Sequence, residues 1–149
     1  MKAMYALHPA TVHIPIGLLL ASSLFTFIAL RTGRMQWEQS SFHCLIFGLL
    51  GAVIAMVSGL IDAARQVTSP QIAPDDPVIM WINGHAAASL AATLCYGRVW
   101  LMRRRQPGLL TDSTQRNAYL GWHVAGVVLL VLGGWLGGRL VFEFNLGRL

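Results

Sequence analysis

The sequence is 149 residues long, 55% hydrophobic and only 11% charged, with a net charge of +5. A soluble domain carries roughly a quarter charged residues, so a soluble enzyme and a disordered chain are both disfavoured, and a small single-domain integral membrane protein is indicated. The positive surplus would suggest nucleic acid in a soluble protein; in a membrane protein it must first be assigned to a side.

Four stretches free of Asp, Glu, Lys and Arg run from Lys2 to Arg31, Glu38 to Asp62, Asp76 to Arg98 and Arg116 to Arg139. Each reaches the ~20 residues a helix needs to cross a bilayer core of about 30 Å. Membrane strands would be about half as long and would alternate in polarity. The spacing therefore predicts helices over about 12–31, 40–62, 78–102 and 118–140. The first could be mistaken for a signal peptide, but its basic region is Lys2 alone and its apolar run outlasts a signal core, so it is expected to be retained. The connections are short. The first holds Gly33, the second Pro70, Pro74 and Pro77, and the third Arg103, Arg104, Arg105, Pro107 and Gly108. Short links make sequential helices antiparallel neighbours, giving an all-α up-down-up-down four-helix bundle.

Charge then sets an expected orientation. The first and third connections carry Arg31, Arg34, Arg98, Arg103, Arg104, Arg105 and Arg116 against Glu38 and Asp112. The termini and second connection carry Lys2, Arg65, Arg139 and Arg148 against Asp62, Asp75, Asp76 and Glu143. The positive-inside rule places the arginine-rich connections in the cytoplasm and both termini in the periplasm of a bacterial inner membrane. The surplus thus reports orientation, and the Arg103–Arg105 run reads as a topogenic signal. Trp81, Trp100, Trp122 and Trp135 fall near span ends, as interfacial aromatics do.

The histidines carry the chemistry. His8, His13 and His85 fall near the outer surface, and His43 and His123 near the inner one. In this topology the first and third helices are diagonal, as are the second and fourth. One diagonal offers His13 and His85 at the outer level, the other His43 and His123 at the inner level. Two imidazoles facing across a four-helix core are what a six-coordinate haem iron needs. The two layers are ~21 Å apart at 1.5 Å rise per residue, so one or two haems b are expected, and two would form an electron path across the membrane. Intramembrane ionisable residues are functional candidates, although a histidine near a helix end also suits the headgroup level. Small residues around His85 (Gly84, Ala86, Ala87, Ala88) and along the fourth helix (Gly121, Gly126, Gly133, Gly134, Gly137, Gly138) leave room for a flat macrocycle or for close helix contact. Arg139 could hold a haem propionate. Asp62 could orient a histidine. Both also suit plain span-end charges. Cys44 and Cys95 lie within spans, with no CxxC or CxxCH, which disfavours covalent haem attachment and a thiolate zinc site.

Several segments resemble a known family. His8-Pro9-Ala10-Thr11-Val12-His13-Ile14-Pro15-Ile16 resembles the opening HPxxVHxPI motif of small bacterial membrane proteins grouped as domain of unknown function 2231. Ser58-Gly59-Leu60-Ile61-Asp62, Gly84-His85-Ala86-Ala87 and Gly134-Trp135-Leu136-Gly137-Gly138-Arg139-Leu140-Val141 are similar to that family's later motifs, in order. The resemblance implies four transmembrane helices and a motif-bearing outer face, with no established activity. The family pattern often has an acidic residue where Arg139 stands and a His-Gly near Asn145-Leu146. It does not include His43 or His123.

The sequence is therefore read as a b-type cytochrome-like electron-transfer protein, or a haem-bearing subunit of a redox complex, rather than an independent catalyst. It would pass electrons between a quinone or membrane redox subunit and a periplasmic electron-transfer protein, with the 142–149 tail as a docking element. Two alternatives stand beside it: a cofactor-free structural or assembly subunit, and a copper or zinc site of His8, His13 and His85.

Overall fold

The structure is a computed structural model and describes residues 7–68, 73, 75–111 and 113–146. Lys2, Pro70, Pro74, Asp112, Arg148 and the last residues of the 142–149 tail lie outside the described residues. The described residues form helices α1 (Leu7–Thr11), α2 (His13–Thr32), α3 (Met35–Val67), α4 (Val78–Arg105) and α5 (Ser113–Phe142).

Helices α1 and α2 together make the first span. Pro15 has no N–H to give to the preceding turn, and the helix breaks for one residue at Val12. The amide of Val12 still bonds His8 O at 3.2 Å and that of Ile16 bonds Val12 O at 3.2 Å, so the chain continues along one axis. Gly33 ends α2 in the left-handed region at φ 65°, with its N–H on Ala29 O at 2.8 Å, as glycine does without strain. Asp76 accepts the amide of Val78 at 2.9 Å where α4 begins. All four spans are long and apolar enough to cross a membrane. They outrun the predicted limits because flanking arginines continue the helices: Arg65 lies inside α3 and Arg103–Arg105 inside α4. Large apolar side chains such as Phe27, Phe47, Leu60, Leu94 and Val131 point outward. In water that would be a liability; in a membrane it is the lipid-facing surface.

The bundle is built from two helical hairpins. Helix α2 packs closely on α3, and α4 on α5, while the hairpins meet more sparsely through α3 with α4 and α2 with α5. Both hairpins use one packing scheme. On their first helices, His8 and His85 are 77 residues apart, and Leu19 and Tyr96 keep the same separation. On their second helices, Gly48, Ala55 and Gly59 are matched by Gly126, Gly133 and Gly137, one residue further apart. A Cβ on Gly48 would come within 2.7 Å of Leu19, and a Cβ on Gly126 within 2.7 Å of Tyr96. The same holds at the other end: Gly59 would meet His8 at 2.9 Å and Gly137 would meet His85 at 2.9 Å. The hairpins are thus related by an approximate two-fold axis along the bundle, as in parallel internal repeats.

Among the described residues, polar contacts tie the hairpins together at three levels of the seam. His8 meets His85 at the end bearing the termini. Ser23 and Thr26 of α2 meet His123 of α5, and Ser23 also meets Tyr96 of α4. At the arginine-rich end Glu38 pairs with Arg103 at 2.7 Å, both largely buried, and Arg103 lies over the Phe42 ring at 5.8 Å. The buried core combines apolar Leu19, Leu45, Ala52, Val99 and Met102 with the hydroxyls of Ser22, Thr26 and Ser41.

Candidate functional site

The site is a pair of imidazoles, one from each hairpin. His8 sits on α1, just outside the break at Val12, and its ring lies over Gly59. His85 sits on α4, and its ring lies over Gly137. Each ring is held by a carbonyl one helical turn before its glycine: His8 Nδ1 reaches Ala55 O at 2.8 Å, and His85 Nδ1 reaches Gly133 O at 2.9 Å. A carbonyl oxygen only accepts, so each Nδ1 carries the proton. This leaves both Nε2 atoms as lone pairs in the neutral rings. The two Nε2 atoms stand 3.4 Å apart, with ring centroids 5.7 Å apart and planes at 73°. The difference between those separations is one ring width, so the two nitrogens face each other along the line joining the rings. Two neutral rings would repel in this arrangement. A cation between them, either a shared proton or a metal, removes the repulsion.

A hydroxyl brace fixes the His8 side. Thr11 Oγ1 donates to His8 O at 2.9 Å and meets Ser58 Oγ at 2.9 Å, and Ser58 donates to Ala55 O at 2.9 Å. Asp62 was expected to orient a histidine ring. It accepts the backbone N–H of His8 at 2.9 Å instead. That caps an amide the short α1 leaves without a partner, with Arg65 at 3.9 Å from the carboxylate. Arg139 was expected to reach a propionate. Its guanidinium is bidentate on Glu143, at 2.8, 2.9 and 2.6 Å, and lies over Trp81 at 4.2 Å and Trp135 at 5.2 Å.

The expected outer pair of His13 and His85 is not brought together. His13 is exposed, and His8 takes the position opposite His85. Five residues turn a helix by roughly 140° beyond a full turn, so His8 and His13 cannot share a face. The three-histidine set of His8, His13 and His85 is likewise not assembled. The expected inner pair of His43 and His123 also fails to form, because His43 is exposed while His123 is 3% exposed. Leu45, not His43, is the α3 residue matching His123 in the repeat. His43 is two residues earlier, roughly 200° around the helix.

His123 has its own partners. Nδ1 meets Ser23 Oγ at 2.9 Å and Nε2 meets Thr26 Oγ1 at 3.3 Å. Tyr119 and Tyr96 pack edge-on against its ring at 4.7 and 5.9 Å.

The sequence reading did not identify Ala55 and Gly133 as carbonyl anchors, nor Ser23, Thr26, Tyr96 and Tyr119 around His123. Ala55 and Gly133 act through backbone atoms and leave no side-chain signal. The near-equal separations, 51 residues from His8 to Gly59 and 52 from His85 to Gly137, could have revealed them.

A family model described as a predicted membrane protein, DUF2231, matches residues 4–148. No curated protein and no solved structure matches the chain.

Proposed function

The chain belongs to the DUF2231 family of predicted membrane proteins, and within that membrane-spanning frame we propose that it is a b-type cytochrome-like electron-transfer protein whose haem iron is held by His8 and His85. The observation that carries this reading is the pair of Nε2 lone pairs aimed at each other across the seam at 3.4 Å. Among the described residues no group of three or more His, Cys, Asp or Glu is placed to hold a metal ion. A bare zinc ion wants four ligands. A metal whose other positions are already filled would need only the two imidazoles, as a haem iron would. A metal–imidazole bond is ~2.0–2.1 Å, so a linear pair needs about 4 Å and the nitrogens must part by under 1 Å. The macrocycle would require the hairpins to part along the seam, where packing is sparsest. The carbonyl bonds on Nδ1 are the outer contacts that fix tautomer and raise ligand basicity.

In this reading a bound haem would supply one-electron chemistry, and His8 and His85 would hold it in an apolar setting. With the arginine-rich connections cytoplasmic, the pair lies toward the periplasmic side of a bacterial inner membrane. That placement suits exchange between a quinone or membrane redox subunit and a periplasmic electron-transfer protein. A second reading is a cofactor-free structural pair sharing one proton, favoured by a nitrogen separation already near hydrogen-bond reach.

The test is a reduced-minus-oxidised visible spectrum of protein purified after expression with ample haem. A sharp b-type α band supports the haem reading. A featureless spectrum with no bound metal by elemental analysis supports the proton-sharing pair instead.

A further inference from the structure

Helix α4 carries a charge where its outer face is otherwise apolar. Leu90, Leu94, Arg98, Leu101 and Arg105 are all exposed, and their three- and four-residue spacing keeps them on one side of the helix. Arg98 stands well before the end of α4 at Arg105, about 10 Å inside the span at 1.5 Å rise per residue. Tyr96, on the turn just before it, meets Ser23 in the interior of the bundle. A guanidinium facing lipid at that depth is costly without an anion.

The chain does not supply that anion. Among the described residues the ion pairs are Arg65 with Asp62, Arg103 with Glu38 and Arg139 with Glu143. Arg31 and Arg104 lie over the rings of Phe27 and Trp100. Arg98 has no such partner among the described residues. The fold does not call for a cation there either. In the matching helix of the other hairpin, Gly17, Ala21, Leu24 and Ile28 stand where α4 has Leu94, Arg98, Leu101 and Arg105. A topogenic signal is already present in the arginines at the end of the helix, so Arg98 is left with no structural task.

We propose that Arg98 and Arg105, with Leu90 and Leu94 beside them, bind one anionic phospholipid in the leaflet at the arginine-rich end of the bundle. The two arginines are roughly 20° short of two full turns apart, so they share a face. A helical Cβ tilts toward the N-terminus, so Arg105 leans toward Arg98, while Arg98 snorkels toward the headgroups. The two side chains thus converge on the space between them. Each guanidinium presents a fork of N–H donors that fits two phosphate oxygens. Leu94 and Leu90 continue the same face toward the middle of the bilayer and give an acyl chain an apolar track. The headgroup is anionic because two neighbouring cations repel the ammonium of a zwitterionic lipid and attract a net negative charge. This site is on the outside of α4, and it rests on neither the histidine pair nor the haem reading.

The experiment counts lipid on the full chain by native mass spectrometry from detergent, titrating phosphatidylglycerol or phosphatidylcholine with the same acyl chains. The wild type should hold one phosphatidylglycerol roughly tenfold more tightly than phosphatidylcholine, the factor a charge-assisted contact supplies. Arg98→Ala should remove most of that preference and Arg105→Gln should lower it. Arg98→Lys keeps the charge but not the fork, and should retain part of it. Arg34→Gln removes another exposed charge at the same end and should leave the preference unchanged. Glycerol phosphate, which has the headgroup chemistry without acyl chains, should not displace the bound lipid. Equal binding of the two lipids by the wild type overturns the proposal, as does a full preference kept in Arg98→Ala. An equal loss in Arg34→Gln overturns it too, because the attraction would then be diffuse. Displacement by glycerol phosphate would make this a free-phosphate site and overturn the lipid assignment.

Discussion

Replacing Gly137 by alanine tests whether the glycines exist to seat the histidines. A Cβ there would lie 2.9 Å from His85 Cε1 and 3.2 Å from Nδ1, whereas carbon contacts are comfortable at about 3.5–4.0 Å. The ring must move by roughly half an ångström or more, and its bond to Gly133 O, now 2.9 Å, holds it where the clash occurs. Overpacking of this kind costs ~1–3 kcal/mol. Alanine also gains about 1 kcal/mol over glycine in helix propensity, which would mask part of the loss. Gly134→Ala removes that ambiguity. It lies on the same helix, and its Cβ would meet nothing within 4 Å. The propensity gain is common to both variants, so their difference isolates the clash. Thermal unfolding followed by circular dichroism in one detergent should place Gly137→Ala below Gly134→Ala by ~1–3 kcal/mol, or several degrees at roughly 2–4 °C per kcal/mol. Equal melting temperatures for the two variants would refute the seating argument.

The approximate two-fold symmetry predicts that Gly59→Ala, whose Cβ would stand 2.9 Å from His8 Nδ1, loses stability by an amount close to Gly137→Ala in the same melts. Arg103→Met should destabilise the bundle by about 3 kcal/mol, because it leaves the Glu38 carboxylate buried without its partner, and a larger loss than for Arg104→Met is the check. Arg139→Leu removes a half-exposed pair with Glu143 and should cost under ~1 kcal/mol, with any bound cofactor retained, as the visible spectrum would report.

The spans were legible because charge in a membrane chain is confined to span ends, and four uninterrupted stretches of sufficient length leave few other readings. The helix ends were less legible. Arginines beside a span do not stop a helix, and α4 continues through Arg105 until Gln106 turns away. The diagonal placement of the first and third spans follows from short connections, and His85 does face a histidine of the first span. Which histidine was not legible from layer arguments, since depth alone does not fix the face of a helix. His8 and His13 both lie near the same end of the first span but do not share a face. For His43 the facing residue is Leu45, two positions on. The internal repeat was hidden for a different reason. Its equivalent residues differ in type, Leu19 with Tyr96 and Ala55 with Gly133, and its common features are a carbonyl oxygen and a missing side chain.

The central claim is that one imidazole from each hairpin completes a single site. Haem counted per chain in protein purified from haem-supplied membranes tests it most directly. The account predicts one haem in the wild type, in His13→Ala and in His43→Ala, and none in His8→Ala or His85→Ala. Haem retained at full stoichiometry when His8 and His85 are both replaced would contradict it.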